Sequence, residues 1–402
     1  MRIALVSREY PPETPKGGLA TQTWLKARAL ASFGHEVHVI SETPRAEPAS
    51  GVEAGVHVTR IPGFHQRLVM RTPVVEWLTY SAHVAEALEA LDERSSLDII
   101  DFPEWACEGF VPLLNRSGQR RCAMVIQLHS PLVMFAHTMG WPPLDSEFYR
   151  LGTTMEATTL RLADAVYSSS ACATDWCVRY YGVRREDVPT LHAGVDTDLF
   201  APRAGLKASR PTIVYVGRLV WNKGVQALVE AACRLALDYP ALHLCLIGAG
   251  DTAIVEQLRS RAAAAGRSDV LEIVGYVGHE ELAGRLARAH VFAAPSIYEA
   301  GPGFSCLEAM SCGLPIVACD GSGVADVVTH RDTGLLVPPD DLDALTNALH
   351  RLLESPDDRE ALGTAARAWV VANAETRSSV RRIEAFYQRV IERVTGACQP
   401  AC

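Results

Sequence analysis

The sequence predicts an α/β protein of two doubly wound, Rossmann-like domains facing each other across a cleft. Three observations predict it. Short apolar, β-branched runs alternate with helical-period segments along almost the whole chain, as parallel sheets covered by helices require. The alternation starts afresh at residue 212, with a new strand and a Gly-bearing turn, after the linker-like stretch APRAGLKASRP (201–211). And 402 residues are too many for one ordinary core. Open sheets of this kind hold their ligands at the carboxyl ends of the strands.

The elements follow in order. RIALVS (2–7) is an apolar run and reads as a buried strand, and residues 17–34 carry apolar side chains at helical spacing up to a stop at Gly34. HEVHVIS (35–41) is the next strand, and residues 73–94 form a long amphipathic helix. DIIDF (98–102), AMVIQLH (123–129) and AVYSSS (165–170) are strands, with helices near 146–163 and 171–181. In the second half, strands are expected at 212–217, 242–248, 271–277, 290–296, 315–319 and 334–339. Helices are expected at 222–240, near 252–265, at about 304–312, and near 341–353, 357–373 and 376–396.

Composition narrows the function. The chain is 48% hydrophobic and 21% charged, with a formal net charge of −9. An acidic balance argues against nucleic acid, whose phosphates demand Lys/Arg-rich faces. No apolar run approaches the ~18 residues of a membrane span, and the N-terminal apolar run is too short for a signal peptide. Eleven cysteines are scattered without paired or zinc-finger spacing, so free thiols in a reducing cytoplasm are expected.

Four local patterns carry chemistry. Gly17-Gly18 stands between the first strand and first helix, where a bare backbone and a helix start can approach an anion. An ordinary loop has the same appearance, and the pair is not a GxGxxG fingerprint. In VGRLVWNKG (216–224), Arg218 and Lys223 flank the loop after a strand, where a guanidinium fork and an ammonium point charge suit phosphate oxygens. Solvated surface charges are the alternative. In YEAGPGFSCLEAM (298–310), a Gly-Pro-Gly loop leads into a helix, with Glu299 before it and Glu308 just over one turn along. The helix start attracts phosphate, and a carboxylate there can accept both hydroxyls of a vicinal diol such as ribose. Glu308 could instead merely complement the helix dipole. Finally, His129 closes the strand AMVIQLH at its carboxyl end.

These segments, together with GHEVHVI, DFPEWACEG (101–109), LHAGVDTDLF (191–200), PSIYEAGPGFSCLEAMSCGLPIVACDGSG (295–323) and TGLLVPPDD (333–341), resemble family 4 of the retaining, nucleotide-sugar-dependent glycosyltransferases over nearly the whole chain. The resemblance implies the GT-B fold. Residues 1–200 would form the acceptor-side domain and 201–375 the nucleotide-sugar-binding domain, with a C-terminal helix, about 376–402, packing back on the first. It implies that Arg218 and Lys223 hold the donor's diphosphate and that Glu308 accepts the ribose hydroxyls. Glu299 and the backbone of the segment Gly303, Phe304, Ser305, Cys306 and Leu307 would hold the donor's sugar and phosphate. His129 would touch the sugar at the reacting face, and Gly17 and Gly18 would let the first loop approach phosphate and acceptor. Three departures stand out: Ala300 lengthens the spacing between the two Glu residues by one, Pro302 has no N–H to donate, and His192-Ala193 replaces the family's usual Asn before Gly194.

The implied reaction transfers a sugar from a nucleoside-diphosphate sugar to a hydroxyl of a small molecule, glycan or lipid-linked acceptor, with retention. The nucleotide sugar is a co-substrate, and no cofactor or metal is expected. Asp196-Thr197-Asp198 has the DxD form of metal-dependent glycosyltransferases but reads as structural here. Rival readings are a catalytically silent nucleotide-sugar-binding protein and a glycoside hydrolase working with two carboxylates. Arg60, Arg67 and Arg71 form a thin basic set compatible with peripheral membrane contact, and Trp77, Trp105, Phe135, Trp141 and Tyr149 could stack on an acceptor.

Overall fold

The computed structural model describes residues 1–14, 17–63, 72–116, 122–203 and 205–396. Arg67 and Arg71 of the basic set, and 397–402 of the C-terminal segment, lie outside the described residues. The chain divides into two compact units, Met1–Gly194 with Thr376–Cys402, and Val195–Glu375.

Unit 1 runs β1 (Arg2–Val6), α1 (Gly18–Ser32), β2 (Glu36–Thr43), β3 (Ala49–Glu53), β4 (Val56–Pro62), α2 (Pro73–Ser95), β5 (Ile99–Pro103), α3 (Phe110–Leu114), β6 (Ala123–Leu128), α4 (Leu132–Met139), α5 (Glu147–Leu162), β7 (Ala165–Ser168) and α6 (Ala171–Tyr181). The sheet order is β3-β4-β2-β1-β5-β6-β7, parallel except for the β3–β4 pair. β1, β5 and β6 are apolar on both faces because helices cover both, which is why they read as continuous apolar runs. The chain order reverses between β1 and β5, and the loops after them carry SREYPP and EWACEG.

Unit 2 runs β8 (Thr212–Val216), α7 (Val225–Leu235), β9 (His243–Ile247), α8 (Thr252–Ala264), β10 (Leu271–Gly275), α9 (His279–Arg288), β11 (Val291–Ala294), α10 (Phe304–Ser311), β12 (Ile316–Cys319), β13 (Gly334–Val337), α11 (Leu342–Glu354) and α12 (Pro356–Asn373). Its six parallel strands are ordered β10-β9-β8-β11-β12-β13. This is the doubly wound dinucleotide-fold order, and its switch point lies between β8 and β11. The expected helix 222–240 is corrected. Trp221–Lys223 is a 3-10 turn, Gly224 is left-handed (φ 68°), and only then does α7 begin, so Lys223 belongs to the loop after β8.

The last helix, α13 (Thr376–Gly396), returns to unit 1 and fills its core with Val380, Ile383, Phe386, Tyr387, Val390 and Val394. It is also pinned by polar contacts. Tyr387 donates to buried Asp101, and His35 Nε2 lies 2.6 Å from Glu384. Among the described residues no helix is long and apolar enough to cross a membrane.

Candidate functional site

In unit 2 the loops leaving β8, β9, β11 and β12 are laced by their own backbones. Gly217 N–H donates to Ile247 O (2.9 Å), Leu219 N–H to Ala249 O (2.7 Å) and Tyr215 O–H to Arg218 O (2.8 Å). Asn222 is buried, and its carbonyl accepts from Ile297 N–H (3.1 Å) and Ser296 Oγ–H (3.3 Å). Gly224 permits this approach: a Cβ there would lie 2.1 Å from Pro295 O. The β8 loop is thereby held against the β11 loop across the switch point, and the two functional loops behave as one surface.

On that surface Arg218 is exposed, and its guanidinium has no hydrogen-bond or ion-pair partner among the described residues. Lys223 pairs with Glu299, so these two charges offset each other across the β8 and β11 loops. The extra residue is absorbed inward: Ala300 is buried, Glu299 O accepts from Gly323 N–H (2.7 Å), and the Glu299 side chain still reaches Lys223. Pro302 is likewise buried.

α10 begins at Gly303 (φ 70°) with no side-chain cap and no acidic residue in its first turn. The N–H groups of Phe304, Ser305 and Cys306 therefore have no intrahelical acceptor, and the dipole's positive end is open. The Leu307 N–H is already used on Gly303 O (3.3 Å) and its side chain is wholly buried, as is the Cys306 thiol. Glu308 follows, 5% exposed, and its side chain makes no hydrogen bond or ion pair among the described residues. Burial alone pushes its carboxyl up to about 7. A buried carboxyl without a donor is costly, which marks it as awaiting one.

In unit 1, His129 is half-buried at the end of β6, and its ring nitrogens have no partner among the described residues. Burial, and secondarily Lys26, lowers its pKa to about 3, so the imidazole is neutral at physiological pH. Its backbone is held by Glu104: the His129 N–H donates to Oε2 at 2.6 Å, and the Ser130 N–H to Oε1. Glu108, on the same loop after β5, accepts from the Arg8 N–H (3.1 Å) of the β1 loop, and burial pushes its carboxyl up to about 8. Gly17 caps α1 without a side chain, and a Cβ there would lie 2.8 Å from the Glu9 carboxylate. Gly18 is exposed at the helix start. Below this edge, Lys26 Nζ donates to Asp101 (2.5 Å), Gln127 (2.9 Å) and Tyr167 (3.0 Å). The aromatics Trp77, Trp105, Phe135, Trp141 and Phe148 form an edge-to-face chain with centroid spacings from 5.2 to 6.4 Å, running from buried Trp77 to exposed Trp141. Tyr149 instead pairs with His137 (3.2 Å).

Arg218, Lys223, Glu299, the start of α10 and Glu308 thus share one strand edge of unit 2, while Gly17, Gly18 and His129 belong to unit 1. Asp196 Oδ1 accepts from the N–H groups of Asp198 (3.1 Å) and Leu199 (2.9 Å), so it shapes its own turn. Sequence reasoning passed over Glu104, Glu108 and Asn222. The E-x-x-x-E spacing within DFPEWACEG was the available signal for the first two.

Comparison with known proteins gives the same direction for both units. Residues 196–369 match the family described as Glycosyl transferases group 1, and residues 16–199 match Glycosyltransferase Family 4. The chain is 29% identical to MMP alpha-(1->4)-mannosyltransferase of Mycolicibacterium hassiacum, over 99% of this chain and 100% of that protein. It is 30% identical to alpha-maltose-1-phosphate synthase of Mycobacterium tuberculosis, over 91% of this chain and 94% of that one. Among solved structures, sucrose-phosphate synthase from Thermosynechococcus elongatus superposes with a TM-score of 0.82 at 25% identity, covering 98% of this chain and 99% of that one.

Proposed function

The chain belongs to glycosyltransferase family 4, and from that premise we propose which of its residues carry the transfer. It is a retaining glycosyltransferase of the GT-B fold that uses a nucleoside-diphosphate sugar. In our reading Arg218 and the open amides of α10 hold the diphosphate, and Lys223 shares its charge between the diphosphate and Glu299. Glu308 accepts the two ribose hydroxyls. Glu299, oriented by Lys223, binds hydroxyls of the transferred sugar.

As the anomeric C–O bond breaks, negative charge grows on the leaving diphosphate and the sugar becomes oxocarbenium-like. Donors already fixed toward that charge lower the barrier without reorganising. The acceptor oxygen forms its bond on the face the phosphate leaves, and the acceptor's proton passes to a phosphate oxygen. His129, neutral at working pH, serves as a hydrogen-bond partner of a sugar hydroxyl and not as an acid. No metal is required in this reading, because Arg218, Lys223 and the helix dipole supply the positive charge. Full loss of activity in EDTA, restored by manganese, would contradict that.

The donor is a nucleoside-diphosphate hexose, and a relative named for mannosyl transfer makes a mannose-bearing nucleotide the first to test. The acceptor hydroxyl belongs to a small molecule, glycan or lipid-linked acceptor bound by unit 1. Free buried thiols such as Cys107, Cys177 and Cys306 fit a reducing cytoplasm. The observation that carries the reading is the partnerless guanidinium, open helix start and donor-seeking carboxyl on one strand edge. Arg218→Ala should lower turnover ~100-fold or more and weaken UDP or GDP binding in calorimetry. Unchanged values for both would sink the assignment.

A further inference from the structure

The loop between β5 and α3 has a shape the proposed chemistry does not explain. Its Ala106 and Cys107 are both left-handed (φ 58° and 53°) and both buried, although neither is glycine. Backbone of this kind persists only where surrounding contacts over-determine it. Here it separates two carboxylates that lie four positions apart. β5 stands between β1 and β6 in the sheet, and the twisted loop sends Glu108 to the β1 loop and Glu104 to the β6 loop. Glu108 takes one backbone N–H, that of Arg8, and Glu104 takes two. Glu104 is 1% exposed, its own N–H is anchored on Gln127 O (3.0 Å) at the end of β6, and its two oxygens take the two successive amides of His129 and Ser130.

We propose that Glu104 is a positioning residue for His129: by accepting both amides of the turn that ends β6, it fixes the direction in which the imidazole leaves the strand. This rests on the role given to His129 above. A carboxylate holding two N–H groups tolerates little rotation, because each oxygen is committed. Protonated, it keeps only one full acceptor toward them, and the turn loosens.

Burial, opposed by these backbone hydrogen bonds, sets the Glu104 carboxyl at about 7. The titratable groups that face it are Glu156 of α5, Cys107 of its own loop and Cys177 of α6, whose own pKa values its charge raises. Lys26, below the sheet edge, faces His129. The held state of the turn is therefore the high-pH state, and turnover in the native enzyme should rise as pH climbs through about 7.

The test combines three readouts on the full chain. First, in protein labelled with ¹⁵N-histidine, the His129 backbone amide should titrate near pH 7 by NMR, with no variant needed. Second, Glu104→Gln should cut kcat 10–100-fold, since small misplacements of a substrate-contacting group cost that much. Its UDP or GDP affinity should stay within about twofold, because the nucleotide contacts lie in unit 2. Third, the kcat limb near pH 7 should vanish in Glu104→Gln, with Glu104→Asp, charged but too short to reach both amides, giving an intermediate kcat. A His129 amide that does not titrate, or a Glu104→Gln enzyme with native kcat and native pH profile, overturns the proposal. His129→Ala separates the layers. Native kcat there removes the role of His129 itself, whereas a damaged His129→Ala beside an intact Glu104→Gln removes only the positioning.

Discussion

Glu308 shows how much a single side chain can encode. An ordinary glutamate titrates near 4.3; this one is raised to about 7 by burial alone, with no donor to offset it. Two consequences follow. If its ionised form receives two ribose hydroxyls, UDP or GDP affinity should strengthen as pH rises and level off above about 7. Glu308→Gln should bind more weakly and lose that pH dependence relative to wild type, read by calorimetry between pH 5.5 and 8. The second consequence concerns stability. With a raised folded pKa, the native state keeps a proton that the unfolded chain releases between about 4.3 and 7, so this group lowers stability as pH rises through that window. Glu308→Gln should therefore melt higher than wild type at pH 8, and the gap should close at pH 5. A gap of the same size at both pH values would show that packing, not ionisation, governs the site.

At the scale of elements, the loops after β8 and β11 act as a single device. Asn222 and the close approach at Gly224 lock them, so Gly224→Ala should cost about 1–2 kcal/mol from the left-handed conformation alone. It should cost more from the clash with Pro295 O, and it should weaken nucleotide affinity although Gly224 has no side chain to bind with. Native affinity in a destabilised Gly224→Ala would mean that the two loops are independent. Such locks mark where sequence reading stops. The parallel strands other than β4 were legible because they are plain apolar runs, most of them buried on both faces. The β3–β4 hairpin was not: β3 is largely exposed, Val52 at 64%, and its turn Ala54-Gly55 looks like any loop. The short helices α4 and α9 also escaped, whereas the equally short α10 was legible because a Gly-Pro-Gly loop marks its start. The residues Arg218, Lys223, Glu299 and Glu308 stood out because each follows a strand or opens a helix. The Lys223–Glu299 pairing did not, since 76 positions separate the partners. Glu104 and Glu108 were silent for another reason. Their partners are backbone amides, which every residue has, so no residue type announces the contact.

At the scale of the whole molecule, the covalent order and the packing order differ. Unit 2 is inserted within unit 1, and the insertion is closed at its root. Val195 N–H donates to Ala374 O (2.8 Å), with Val195 and Glu375 in a bridge, while Gly194 packs so tightly on Thr376 that a Cβ would lie 2.4 Å from its Cα. Two core clusters, one spanning Ile213 to Leu362 and the other Val195 to Ala374, lie wholly in unit 2. A core cluster of unit 1, by contrast, needs α13, which contributes Phe386 and Tyr387 and donates the Tyr387 hydroxyl to buried Asp101 Oδ2. The two units should therefore respond oppositely to being cut. Residues 195–375 expressed alone should melt cooperatively and bind UDP or GDP, and Arg218→Ala within that fragment should remove the binding. A chain ending at residue 375 should lose unit 1, because an apolar face built for α13 is left in water and Asp101 loses the Tyr387 hydroxyl. Calorimetric melts of the two truncations decide it. A soluble, cooperatively folded unit 1 without α13 would show that the returning helix is an accessory, and a fragment 195–375 that folds but ignores nucleotides would show that the donor site cannot be built from unit 2 alone.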